Sequence, residues 1–436
     1  MINNLDYYIQ TKYKNNPLWF KEEVEQSYHS NRIAKTFKLI NYLHGTHKVL
    51  NRQDVTFKDK EFKVKKLIIQ NAKAICNFHS TYITGNPVSL TGTKELVKQI
   101  QEIYKYGGFY NTDFNLSDKL VKYGNAYEYV YRDEKGNITS KLIQNESAYP
   151  VYDERGNYVA FIEYYTNLEH ISYFNVYYPD RVDCWSNEGE NLHIIDTFKN
   201  ISGLPIIYKA LNDWDYREGE GLLENILPLL DEIEDLLSKM GDSIYTLSLN
   251  PLLLTTGQAI EGSVSSDAVG FNINLENGSD MKYVNSVMDY QSIKYYLDTI
   301  QNNLNMCAYM PSILGGNGNI ANVSETSLKM LYQLADVFAM MNEKVLRQGM
   351  NERLNIIRRL LDRENDNEYV NVNFNYSRPQ NATELLDNLK KQSEMQAISI
   401  ETIIEKSPIT DDKVMELNRI KGMNNKSVDN VDDDIE

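Results

Sequence analysis

The sequence predicts an α+β fold, and three observations carry that prediction. Up to about Tyr123, apolar side chains recur at helical spacing. From Gly124 to about Tyr208 the texture changes to short runs of Tyr, Val and Ile separated by Asp-x-x-Gly-Asn turns. From Asp213 to Glu364 helical spacing returns in three long segments, separated by a small module and then by a glycine-rich loop.

The first fifty residues read as helical, and basic in places at Lys35 and Lys38. Val64, Ile68, Ala72, Ile75 and Tyr82 predict a helix over Val64–Ile83, stopped by Gly85-Asn-Pro87 because proline cannot continue it. Two amphipathic helices follow, at 94–106 and 113–123. Strands are expected at 126–132, 148–152, 159–165, 173–178, 182–185 and 194–198, with turns at Asp133–Asn137 and Asp153–Asn157. Half of the 32 tyrosines lie between Tyr104 and Tyr208. Their broad apolar bodies and polar tips suit half-buried sheet faces, and Arg and Lys are too sparse there for a base-stacking platform.

Leu223, Ile226, Leu230, Ile233, Leu237, Met240 and Ile244 then alternate three and four residues apart. Pro228 lies inside this pattern, so the helix either starts there or is kinked there. Asn250-Pro251 ends it. In the intervening module Val269, Phe271, Ile273 and Leu275 alternate with small polar residues as one strand. Tyr290, Ile293, Leu297, Ile300, Leu304 and Cys307 repeat the heptad spacing over 287–310, so the two helices can pack lengthwise. After Pro311-Ser-Ile-Leu-Gly-Gly-Asn-Gly-Asn-Ile320, Asn322-Val-Ser-Glu325 resembles a capping box. It opens a helix of roughly forty residues, about 60 Å if continuous. Tyr369–Tyr376 reads as a returning strand, Asn381 to about Met423 as helical, and Asp429–Glu436 as a short acidic tail.

At 436 residues the chain can build a substantial core and several modules. No window is apolar enough to span a bilayer, and the first residues lack the organisation of a signal peptide. Cys76, Cys184 and Cys307 stand far apart, which fits a reducing compartment and argues against a disulfide framework or a Cys-based zinc site. The net charge of −16 argues against clamping of nucleic acid, although a conduit for DNA works better with repulsive than with adhesive walls. From Asp213 to Ile244 ten acids face two bases, which reads as a solvated acidic helix face.

Catalytic signatures are missing: no phosphate-binding Gly-Lys-Ser/Thr loop, no His-Glu-x-x-His and no Gly-x-Ser-x-Gly. Gly316–Ala321 superficially matches a dinucleotide loop but follows a helix, not a strand, so no cofactor is expected. His44 and His47 are expected to have no Cys, His or carboxylate cluster nearby to complete a metal site, and read as solvated or capping residues. Asp231-Glu232 and Glu234-Asp235 are expected to have no His nearby, and Lys239 reads as the helix-face partner of Asp235. Catalytic, cofactor and metal residues are therefore all expected to be none. The glycine loop reads as a slim helix–helix connector or as a loop that moves while something passes.

Several stretches, in this order and spacing, resemble a portal protein of tailed bacteriophages, of the branch found in phages of Gram-positive bacteria. They are Asn41-Tyr-Leu-His-Gly-Thr-His-Lys-Val-Leu-Asn-Arg52, Asn71 to Val88, and Tyr123-Gly-Asn-Ala-Tyr127 with Tyr129 and Asp133. Glu224, the Asp231-centred helix and Pro311–Lys329 complete the set. The resemblance covers nearly the whole chain. It implies a ring, usually a dodecamer, at one capsid vertex, through which double-stranded DNA enters and leaves. It implies a wing (1–222), a first stem helix (223–249), a clip (250–286), a second stem helix (287–310) and a tunnel loop (311–323). A long helix with its returning strand (324–380), a crown (381–423) and an acidic tail (424–436) follow. The implied partners are the terminase large subunit and a head-completion adaptor at the clip, and the major capsid and scaffolding proteins at the wing, with no membrane. The implied location is the virion, with assembly in the host cytoplasm.

On that resemblance the DNA-facing residues are Leu314, Gly315, Gly316, Asn317, Gly318, Asn319 and Asn322, with Lys329 the nearest fixed positive charge. Stem packing falls to Leu230, Ile233, Leu237, Met240, Ile293, Leu297, Ile300 and Leu304, and clip contacts to Phe271, Ile273, Leu275 and Lys282. The competing readings are another connector or adaptor ring, and a cytoplasmic enzyme with a helical insertion; the size of the chain argues against an adaptor and the missing catalytic clusters against an enzyme. Deleting Gly315–Asn319 is expected to impair DNA packaging while leaving rings intact, and DNA-filled heads in normal numbers from that deletion would contradict the tunnel-loop assignment.

Overall fold

The computed structural model describes residues 4–57, 60–189, 191–244, 252–257, 276–284, 289–311, 325–364, 367–379 and 382–407, with 410, 416–417 and 419–420. It divides into two compact units: Met1–Met310 with Ala335–Ser377, and Pro311–Leu334 with Arg378–Glu436.

In the first unit, helices α1 (Asn4–Tyr13), α2 (Trp19–Val24) and α3 (Ser27–Leu43) lead into a short hairpin, β1 (Val55–Phe57) and β2 (Lys60–Phe62). Helix α4 (Asn71–Thr84), strand β3 (Ser89–Gly92), and helices α5 (Lys94–Gly107) and α6 (Phe109–Tyr123) follow. The tyrosine-rich region then forms two antiparallel sheets. One is β11 (Ile206–Lys209), β4 (Asn125–Arg132) and β5 (Ile138–Ile143), in that order. The other is a meander of β6 (Ala148–Tyr152), β7 (Tyr158–Thr166), β8 (Ser172–Tyr177), β9 (Arg181–Ser186) and β10 (His193–Lys199), with β10 at its edge.

The anticipated turns form by side-chain capture of backbone. Asp133 Oδ1 accepts from the amides of Lys135 and Asn137, and Asp153 Oδ1 from those of Arg155 and Asn157, each an Asx turn closing a hairpin. Tyrosine packing accounts for most of the aromatic content: Tyr127, Phe161, Tyr177 and Val182 pack in one cluster between strands, and Phe20 of α2 sits 5.3 Å from Phe174 and 5.1 Å from Trp185. Strands β3 and β11 went unread in the sequence because each has only four residues, and β5 because its six residues lack strict alternation.

Helix α7 (Leu222–Ser243), the hairpin β12 (Leu252–Thr256)–β13 (Asp280–Val284) and helix α8 (Tyr290–Cys307) come next. Helix α10 (Gln333–Leu360) returns along the first unit, and β14 (Val370–Asn373) pairs with β3, placing Val372 opposite Leu90. The expected forty-residue helix is thus two helices: α9 (Glu325–Leu331) stops before Tyr332 and α10 begins after it. In the second unit α9 is followed by α11 (Ala382–Glu394) and α12 (Ile400–Lys406). Ser399 caps α12 by accepting from the Thr402 amide, and Leu389 and Ile404 are buried.

The helix expected from Val64 begins only at Asn71. Residues 63–69 instead run alongside α7, whose polar side chains take their amides, and Leu67 and Ile68 remain largely exposed.

One buried ionic cluster ties α5, α6, β4, β11 and α10 together. The fully buried Arg353 guanidinium donates to Glu128 through Nε (3.0 Å), to Asp113 Oδ1 (2.5 Å) and to the Tyr104 hydroxyl (3.3 Å). The Tyr208 hydroxyl completes it by donating to Glu128 (2.7 Å). Burial pushes the Asp113 carboxyl up to about 6, with Arg353 opposing. Gly349, one turn before Arg353, makes room for the Tyr208 ring: a Cβ there would lie 2.2 Å from a ring carbon. Arg353→Ala strands two buried carboxylates and is expected to cost about 3–5 kcal/mol in equilibrium unfolding. Gly349→Ala is expected to destabilise markedly through the Tyr208 clash, and unchanged unfolding midpoints for both variants would contradict the role given to the cluster.

Candidate functional site

Helices α7 and α8 form a two-helix arm. Tyr309, just beyond α8, lines a cavity of about 300 Å³ with Leu222 and Asn225 at the start of α7, while the Tyr296 hydroxyl donates to Glu232 further along (3.1 Å). The helices therefore run antiparallel. Of the residues expected to pack them, Leu230, Ile233, Ile300 and Leu304 are buried, whereas Leu237, Met240, Ile293 and Leu297 are only half-buried. The arm is thus sealed at its root and more open toward its far end.

Helix α7 starts at Leu222, six residues before Pro228, so the proline lies in the helix interior and not in its first turn. The Glu224 carboxylate reaches back to the Gly221 amide (3.4 Å) and supplies the cap. The root is set by glycine. Gly124 (φ +73°) ends α6, and a Cβ on Gly219 would lie 1.9 Å from the Gly124 carbonyl oxygen, so the two backbones touch where a side chain would separate them. Asn125 locks this contact by accepting from the Gly219 amide (2.8 Å).

The acidic face of α7 is not simply solvated. Glu234, Ser238 and Asp242, four residues apart on one side of the helix, accept from the amides of Ile69 (2.7 Å), Leu67 (3.0 Å) and Lys65 (2.7 Å). Four helical residues rise about 6 Å and two extended residues about 6.6 Å, so the two repeats stay in step over three rungs. Side chains of a helix here do the work of a neighbouring strand. Arg52 closes the far rung on Asp242 (2.9 Å) and approaches Asp235 (3.6 Å).

At the near rung Glu234 is buried with His47, whose Nδ1 lies 2.7 Å from the carboxylate and whose Nε2 lies 2.9 Å from the Tyr42 carbonyl. Both ring nitrogens face oxygen atoms, the Glu234 carboxylate on one side and the Tyr42 carbonyl on the other. The ring stacks on Tyr42 at 3.9 Å. This corrects two expectations: His47 is neither solvated nor capping, and an acid of α7 does have a histidine beside it. The pair is 187 positions apart in sequence, beyond the reach of local spacing. The Lys239–Asp235 pair forms as expected, at 2.5 Å.

A second histidine holds α8. His79 of α4 is buried, lies 4.5 Å from Phe338 of α10, and donates from Nε2 to the Ala308 carbonyl just past α8 (2.7 Å). Burial pulls its pKa down to about 4, so it sits there neutral, with the Ala308 carbonyl opposing the shift.

The expected DNA-facing residues Leu314–Asn319 and Asn322 lie outside the described residues, as do Phe271, Ile273 and Leu275. Lys329 lies on α9, and Lys282 is exposed on β13 opposite Leu254. Among the described residues no group of three His, Cys, Asp or Glu side chains is arranged to hold a metal ion, and no helix is long and apolar enough to cross a membrane.

A family model described as "Phage portal protein, SPP1 Gp6-like" matches residues 23–429. No curated protein matches the chain. Among solved structures, the chain is similar to one in the virion of a native gene transfer agent particle, at 13% identity and TM-score 0.46 over 76% of this chain and 87% of that one. It is also similar to chains in the neck of the empty particle computed with C6 symmetry (12% identity, TM-score 0.49, 76% and 86% covered) and in the neck of the native particle computed with C12 symmetry (12%, 0.47, 77% and 87%).

The buried neutral His79 makes stability depend on pH with a definite sign. Its folded pKa lies below the ordinary 6.5, so the folded state binds fewer protons and this contribution is lost as pH falls from 6.5 toward 4. Between pH 7 and 4.5 the loss is on the order of 2–3 kcal/mol. His79→Gln, which keeps a donor for Ala308, is expected to flatten that part of the unfolding free energy against pH, and a variant with the unaltered slope would contradict it.

Proposed function

Because the chain belongs to the phage portal protein family, SPP1 Gp6-like, we propose that it forms a ring at one capsid vertex and that the ring is the channel for double-stranded DNA. The observation that carries this reading is the family match over 23–429, which takes in every element described between α3 and α12. The proposed role is structural: the chain hydrolyses nothing itself.

In the proposed assignment, α1–α6, the two sheets β4–β11 and the hub at Arg353 form the wing, α7 and α8 the stem, and β12–β13 the base of the clip. Residues 311–323 are the tunnel loop and 381–423 the crown. A stem has to hold its direction while a stiff polyanion moves past it. The three-rung ladder from Lys65, Leu67 and Ile69 to α7, the Gly124–Gly219 backbone contact and the His79–Ala308 bond brace both stem helices against the wing. The half-buried Leu237, Met240, Ile293 and Leu297 leave apolar surface toward the stem's far end for adjacent copies to cover. An overall charge of −16 per subunit keeps the walls from adhering to DNA.

We assign the clip to contacts with the terminase large subunit during packaging and with a head-completion adaptor afterwards, and the wing to contacts with capsid and scaffolding proteins. Twelve copies are the proposed ring size. Assembly takes place in the host cytoplasm and the finished ring resides in the virion.

Negative-stain electron microscopy of the purified protein is expected to show rings with a central channel. Compact monomers at every concentration tested would contradict the proposal.

A further inference from the structure

Two surface features at opposite ends of β4 fit one another and not themselves. The first is a cavity of about 520 Å³ at the β4 C-terminal end, within the size range of pockets that take an aromatic group. Tyr129 and Tyr177 line it with aromatic surface, and the exposed Arg132 and Lys199 bring positive charge to it. Lys141, also in the lining, is paired with Glu163 (2.7 Å) and adds no net charge. The cavity also borders the free edge strand β10, where Phe198 is 42% exposed, and Ile201 just beyond, 51% exposed. Cys184 lies in its wall.

The second feature is the loop after β11. Trp214 is 93% exposed, more than any other described aromatic side chain, and it is flanked by Asp213 and Asp215. The loop carrying it is pinned: Asn212 Oδ1 accepts from the Trp214 amide (2.8 Å) and Asp215 from the Arg217 amide (2.8 Å). Arg217 then forms a bidentate pair with Asp215 and stacks on Tyr28 at 4.0 Å. A rigid loop that presents a bare indole has little ordering entropy to lose on docking, and buried Trp is the commonest kind of interface anchor.

Register fixes the separation. Lys209 pairs with Asn125 at the start of β4, whereas Tyr129 lies four residues on and Arg132 seven. Four to seven residues of strand span about 13–23 Å, and beyond Lys209 the chain leads away from the cavity, so the indole does not fill its own chain's cavity. We propose that Trp214 of one copy inserts into the Tyr129–Tyr177 cavity of the next, with Asp213 toward Arg132 and Lys199, since Asp215 is already paired with Arg217. The charge complementarity and the aromatic lining select a second copy of this chain as the occupant. A contact between two different patches is head-to-tail, the type that closes into a ring when the rotation allows. That closure rests on the ring reading above; the pairwise contact does not.

Cysteine cross-linking tests it, because the cavity already holds a thiol. In a Cys307→Ser background, Trp214→Cys is expected under mild oxidation to give a ladder of covalent oligomers on a non-reducing gel, and Cys184→Ser is expected to remove it. Ile201→Cys, combined with Cys184→Ser, offers a second acceptor nearer the surface should Cys184 lie too deep for disulfide geometry. Trp214→Ala, at a side chain that makes no core contact, is expected to raise the concentration needed for assembly by about tenfold or more with the melting temperature unchanged. Rings that assemble normally from Trp214→Ala, with no ladder from either cysteine pair, would overturn the contact and assign the cavity to a different partner while leaving the portal reading standing. A ladder without rings would support the contact and count against the ring; monomers without a ladder would overturn both.

Discussion

Everything in the first unit is arranged around the buried guanidinium of Arg353. It joins helices α5, α6 and α10 to strands β4 and β11, elements whose contributing residues span positions 104 to 353. As an energy source such a cluster is a poor choice, since desolvating three charged groups offsets most of their attraction. What it supplies is direction. Five N–H donors in a fixed plane, aimed at two carboxylates and two phenols, allow one placement of α10 across the sheet, and Gly349 sets how closely the helix may approach Tyr208. Fifteen residues back along α10, about 22 Å away, Phe338 packs on His79 and Asp336 accepts from the Tyr82 hydroxyl (2.5 Å). One rigid helix therefore carries the geometry of the hub to the root of the α7–α8 arm.

The α7–α8 arm is attached by a different kind of chemistry. The apolar residues of α7 are covered by α8 and, at the root, by α4 and α6, which leaves the polar side of α7 to meet the extended segment at 65–69. A conventional packing solution would place apolar groups there. Instead, carboxylates and a hydroxyl at four-residue intervals take the amides of an extended segment, with His47 held against Glu234 at one end and Arg52 against Asp242 at the other. Every rung is hydrogen-bonded to a backbone group, so rotating α7 by even one residue would leave buried acceptors unpaired. For a helix proposed to border a DNA channel, that resistance to rotation matters more than the net stability of the contacts.

The sequence read well where structure is local. The turns at Asp133 and Asp153, the tyrosine-rich strands, the buried Leu230, Ile233, Ile300 and Leu304, and the Lys239–Asp235 pair all follow from short-range spacing. It read poorly where long-range partners decide the outcome. Val64 and Ile68 carry a helical pattern, yet residues 63–69 are drawn straight by Glu234, Ser238 and Asp242, and no propensity within the segment reveals that. His47 looked idle because its carboxylate lies 187 positions away. One signal was present: the Asn41–Arg52 and Tyr123–Tyr127 stretches, quoted for their family resemblance, supply His47, Arg52, Gly124 and Asn125, the groups that grip the stem. Arg353, Asp113 and Glu128 gave no such signal, because a single buried cluster drawn from three elements leaves no periodicity in any of them.

Hydrogen–deuterium exchange across residues 63–70 tests most directly whether α7 is braced by this ladder. Segments without secondary structure ordinarily exchange their amides quickly. If the ladder holds α7, the amides of Lys65, Leu67 and Ile69 exchange as slowly as those in the middle of α7, and all three lose protection together in Glu234→Ala. Fast exchange at these three positions in the unaltered protein would contradict the account.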